Sequence, residues 1–126
     1  MRESSLVSVV DDDESVRESL PDLLRVLGFA VETFSSAEEF LASPCLAQTR
    51  CLILDIAMPG MSGRDLQREL TRRQHEIPIV FITAHENEVF RPRLLRQGAV
   101  ECLPKPFSDA ALLSAVNAAF EVRRTI

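Results

Sequence analysis

The sequence predicts an α/β domain of the doubly wound class, a parallel sheet sandwiched between helical layers. Two observations carry this: five short apolar runs alternate with amphipathic stretches, and three of those runs are apolar almost throughout. Strands covered on both faces look like that, whereas a strand with one wet face alternates. A third observation concerns where the polar residues fall. Acids, a threonine and a lysine directly follow four of the five runs or close them, at the strand ends where open α/β sheets form their crevice.

The first run is LVSVV, Leu6 to Val10. Val16, Leu20, Leu23, Leu24 and Leu27 follow it at helical spacing, and Gly28 stands where a left-handed stop belongs. The second run, AVETF from Ala30 to Phe34, is mixed and reads as an edge strand. Ser36 with Glu39 predicts a capping box for a short second helix. The third run is CLILD, Cys51 to Asp55, and Ser62 is placed to cap a third helix with Leu66 and Leu70 facing inward. IVFIT, Ile79 to Thr83, is the fourth run, and a fourth helix ends at Gly98. The fifth run is VECL, Val100 to Leu103. A fifth helix starts near Ser108 with Leu112, Leu113, Val116 and Phe120 inward. Crossovers of this length allow right-handed connections throughout.

A chain of 126 residues fits one domain. The net charge of −5 disfavours nucleic-acid binding by this domain itself, and the basic residues are spread out. No stretch approaches the roughly 18 apolar residues of a membrane span, and the N-terminus lacks the pattern of a secretory signal. A cytoplasmic location is the expectation. Cys45, Cys51 and Cys102 have no CxxC spacing and only two histidines accompany them, so reduced thiols packing as small apolar groups are expected.

The strand ends carry the chemistry. Asp11, Asp12 and Asp13 follow the first run, Asp55 closes the third, Thr83 closes the fourth, and Lys105 follows the fifth in LPKPF. One aspartate is an ordinary helix cap, and Asp13 suits that role; further acids only add repulsion. When Asp55 arrives from a neighbouring strand, like charges share one pocket, and without compensation one must hold a proton. A hard divalent cation removes the conflict. Mg²⁺ (or Mn²⁺) is held by one or two carboxylates, leaving positions for waters and phosphate oxygens. A carboxylate can act as a nucleophile toward phosphorus, with Thr83 donating to one phosphoryl oxygen and Lys105 neutralising another. Taken singly, Asp55, Thr83 and Lys105 read as a turn acid, a helix cap and a surface amine; their joint occurrence speaks for a site. A flavin-binding domain of the same class fits poorly. The loop after the first strand is acidic, no Trp or Tyr is present to sandwich a ring, and no GxGxxG or GxxxxGK[ST] occurs.

VVDDDESVRESL, LILDIAMPGMSG, IVFITAH and LPKPF resemble the signature segments of the receiver domain of two-component response regulators, most closely the FixJ type. The resemblance runs from about Leu6 to Phe120. It implies a flavodoxin-like sheet in the order 2-1-3-4-5. It also implies Asp55 as phosphoacceptor and Thr83 and Lys105 as the phosphoryl-binding pair. The metal set would be Asp12 directly, Asp11 through water, Asp55, and the backbone carbonyl of Ala57. Asp11 and Asp12 are chosen over Asp13 by counting back from Arg17. The Lys105–Pro106 bond would be cis, and Pro59 and Gly60 would shape the loop past Asp55. His85 and Ala57 would tune the lifetime of the acyl phosphate. The partners implied are a sensor histidine kinase, a second copy through the helix 4/strand 5/helix 5 face, and DNA only through an output domain beyond residue 126. A stand-alone receiver fits the sequence equally.

Two departures from that pattern stand out. Cys102 occupies a position that usually holds an aromatic ring, so that limb of the switch is expected to be muted. Pro92 lies within the fourth helix and is comfortable only in a first turn, which predicts a helix starting near Arg91 with His85 to Phe90 as a loop. The rival functions are a phosphorylation-independent interaction module and a phosphatase; the latter lacks a second acid two residues after the nucleophile, where Ala57 stands.

Overall fold

A computed structural model describes residues 5–84 and 90–124. Five parallel strands, β1 (Leu6–Val10), β2 (Ala30–Phe34), β3 (Cys51–Asp55), β4 (Ile79–Thr83) and β5 (Glu101–Pro104), form one sheet in the order β2-β1-β3-β4-β5. Five helices alternate with them: α1 (Glu14–Val26), α2 (Ala37–Leu41), α3 (Gly63–Arg72), α4 (Phe90–Arg96) and α5 (Asp109–Arg124). β1 and β3 are buried along their whole length, as their continuous apolar runs require. The mixed run becomes edge strand β2, with Ala30 and Glu32 exposed.

Alternation along each strand feeds two cores. Leu52 and Leu54 of β3 pack with Phe40, Leu66, Leu70 and Leu94 from α2, α3 and α4. Cys51 and Ile53 pack on the other face with Leu20, Leu24, Leu112 and Val116 from α1 and α5. Gly28 takes φ +98° after α1, as the stop signal predicts. Leu27 differs from its expected inward position: it is the C-cap and more than a third exposed.

Other departures are local. β5 starts at Glu101 rather than Val100 and runs on to Pro104. Ser36 caps α2 by accepting from the Glu39 N–H, but the Glu39 carboxylate accepts from Ser35 Oγ, so the capping box is half made. The full box appears at α3, where Ser62 and Asp65 satisfy each other's backbone N–H groups. α1 runs through Pro21, as the spacing from Val16 to Leu27 requires, whereas the 3₁₀ turn Pro44–Gln48 before β3 is not anticipated by the sequence patterning. The described part of α4 runs Phe90–Arg96 and contains Pro92. The expected loop lies outside the described residues for its first five positions, 85–89.

Candidate active site

Parallel register builds the site. Val10 of β1 pairs with Leu54 of β3, so the next residue of each strand, Asp11 and Asp55, emerge side by side at the carboxyl edge. Asp11 is fully buried and Asp55 nearly so, while Asp12 is exposed. One carboxylate oxygen from each of the three lies within 4.8 Å of the others.

The acidic turn is held from several sides. The Asp11 N–H donates to the Phe34 carbonyl at 3.1 Å, and Arg17 Nη1 donates to the Asp11 carbonyl at 2.8 Å. Asp11 Oδ1 accepts the Asp13 N–H, and Oδ2 accepts Lys105 Nζ, each at 2.9 Å. Asp13 is the N-cap of α1; its carboxylate takes the Ser15 hydroxyl and N–H, which holds it below the usual aspartate range.

Charge crowding falls on Asp55. Burial, then the neighbouring Asp11 carboxylate, push its pKa up to about 7 against the pull of Lys105. For Lys105, burial disfavours the ammonium, but the hydrogen bond to Asp11 and the charges of Asp11, Asp55 and Asp13 outweigh it and raise its pKa. Lys105 is anchored by its N–H donating to the Thr83 carbonyl at 2.7 Å, and the Lys105–Pro106 peptide is cis. Thr83 is the last residue of β4, half-buried at the same edge of the sheet. Ala57 lies exposed in the loop after β3.

Two supporting residues escape a reading for chemistry. Arg17 serves sequence analysis only as a counting mark, yet its guanidinium fixes the acidic turn. Gly63, the first residue of α3, packs so tightly on the backbone of Asp55 that a Cβ would stand 2.3 Å from the Asp55 carbonyl oxygen. The MSG string is the only sequence trace of that contact.

The donor set consists of oxygen atoms alone, which suits a hard cation such as Mg²⁺ rather than a thiolate- or imidazole-seeking metal. Residues 7–117 match the model of the response regulator receiver domain. The chain belongs to that family. It is 48% identical over 117 residues to nodulation protein W of Bradyrhizobium diazoefficiens, covering 93% of this chain and 52% of that protein. It is 40% identical over 118 residues to the transcriptional regulatory protein FixJ of Azorhizobium caulinodans, covering 94% of this chain and 56% of FixJ. Among solved structures, the response regulator StyR superposes with a TM-score of 0.87 at 50% identity, over 95% of this chain and 62% of that one. The chain spans about half the length of the curated relatives it matches. Receiver domains are signalling domains that bind Mg²⁺ at an acidic pocket, and this receiver has such a pocket. No described helix is long and apolar enough to cross a membrane.

Proposed function

We propose that this receiver is a phosphorylation switch in which Asp55 is the phosphoacceptor. The observation that carries the reading is the packing of three carboxylates within 4.8 Å beside Lys105, two of them buried, whose mutual repulsion a cation would relieve. Asp12, Asp55 and the Ala57 carbonyl would hold Mg²⁺ or Mn²⁺ directly. Asp11 would act through water, since both its oxygens already accept hydrogen bonds from Asp13 and Lys105. When bound, the cation offsets the carboxylate charge and the charge that develops on the phosphoryl oxygens.

The donor would be the phosphohistidine of a sensor histidine kinase. An Asp55 carboxylate oxygen forms a bond to phosphorus as the nitrogen–phosphorus bond breaks and the imidazole keeps the electron pair. Thr83 donates its hydroxyl to one phosphoryl oxygen, and Lys105 leaves Asp11 to neutralise another. Water later cleaves the acyl phosphate, returning the carboxylate and inorganic phosphate. The chain thus assists its own modification and removal without turning over a separate substrate. In the cytoplasm, the face of α4, β5 and α5 would report the change to a second copy or to a transcriptional output domain. DNA would be contacted only through that domain.

Asp55→Asn is the direct test. It should abolish Mg²⁺-dependent labelling by acetyl phosphate or by a kinase. Labelling at the parental rate would assign the acceptor elsewhere, and absence of labelling in the parent itself would favour a phosphorylation-independent interaction module.

A further inference from the structure

The loop between β3 and α3 is gripped from outside by a residue of α2. Glu38 Oε2 accepts the Met61 N–H at 3.3 Å, across 23 positions of sequence. The same oxygen lies 2.9 Å from where a Cβ on Gly60 would stand, and Gly60 has φ +76°. Only a glycine lets the carboxylate come this close to the turn.

The grip has a firm base. α2 is pinned by Ala37 and Phe40, both fully buried, with the Phe40 ring edge-on to Phe34 at 5.3 Å. Met58 of the loop joins the same core. At the loop's far end the Gly63 N–H donates to the Ile56 carbonyl at 2.9 Å. The loop is therefore tied at Ile56, Met58 and Gly63, and Glu38 supplies the tie at its crown.

We infer that Glu38 is a positioning residue, which fixes the crown of the β3–α3 loop through the Met61 amide and thereby sets the aim of the Ala57 carbonyl toward the cation. This rests on the assignment of Ala57 and Asp55 to the metal site. Glu38 touches neither phosphoryl group nor metal; its hydrogen bond, not its charge, is the working part. Glutamine keeps an acceptor oxygen at the same reach and alanine does not.

The test compares Glu38→Ala, Glu38→Gln and Gly60→Ala with the parent chain. Without metal, Met61 amide hydrogen exchange should rise about tenfold in Glu38→Ala and stay within twofold in Glu38→Gln. Mg²⁺ titrated by calorimetry should show Kd raised about three- to tenfold in Glu38→Ala and within twofold in Glu38→Gln, with the metal-free melting temperature little changed. Gly60→Ala should displace the carboxylate and speed Met61 exchange in the parent, but add less to that rate in the Glu38→Ala background. Equal weakening by alanine and glutamine would make charge the agent and overturn the inference, as would an unchanged Met61 exchange rate in Glu38→Ala. Unaltered Mg²⁺ affinity in Glu38→Ala, beside a parent that binds normally, would overturn it while leaving the phosphoacceptor reading intact. A parent that binds no Mg²⁺ would remove both.

Discussion

At Asp55 burial and charge act together: its carboxyl is raised from 3.8 to about 7 by desolvation and by Asp11. A raised acid favours the fold when protonated, so this contribution is complete below about pH 4 and is lost as pH climbs through 7. Metal-free Asp55→Asn should therefore be more stable than the parent at pH 8, by on the order of 2–4 kcal/mol. The gap should narrow at pH 5 and on adding Mg²⁺; thermal melts at the two pH values check it, and a gap independent of pH would contradict the crowding. Gly63 poses a steric problem instead. A methyl group there meets the Asp55 carbonyl oxygen at 2.3 Å, a backbone atom rather than a flexible side chain that could yield. Gly63→Ala should lose roughly 1–3 kcal/mol in denaturant unfolding and slow labelling by acetyl phosphate.

Among the elements, α3 is the one whose start is tied to the carboxylate cluster, because its first residue rests on the backbone of Asp55. The Ser62–Asp65 box fixes that start. Ser62→Ala should destabilise the domain by about 1 kcal/mol, seen as a lower midpoint with unchanged slope in urea. At this scale the sequence was legible wherever a pattern was long: the bounds of β1, β2, β3 and β4 coincide with the apolar runs. It was misleading where a neighbour decided. Glu39 had the spacing of a capping box, but Ser35 took its carboxylate. Pro21, a helix breaker by propensity, is buried inside α1, where the apolar stripe on either side outweighs it. Arg91 of α4 pairs with Glu101, which also accepts the Cys102 N–H, a link across elements that no local pattern announces.

For the whole molecule, ligand binding and folding are coupled through the carboxylate cluster. At 100 times Kd, Mg²⁺ should add about 2.7 kcal/mol of stability, and Asp55→Asn should lose most of that gain. Calorimetric melts with and without the cation check both. Inverting a switch from 1:99 to 99:1 needs about 5.5 kcal/mol, within reach of a few charge-assisted hydrogen bonds from Thr83 and Lys105 to a phosphoryl group. If the α4, β5 and α5 face is the output, sedimentation should show association on phosphorylation. With Cys102 in place of a ring, the signal would travel through the main chain at Thr83, whose carbonyl holds the Lys105 N–H.

The sequence alone determined the layered architecture and the identity of the acids, threonine and lysine, because apolar periodicity and strand-end chemistry are local properties of the chain. Tertiary structure decided which of those groups meet. Parallel register set Asp11 beside Asp55, a fold-wide contact brought Lys105 onto Asp11 across 94 positions, and close packing set Gly63 against the backbone of Asp55. Such distances depend on how whole layers pack, and no window of residues encodes them.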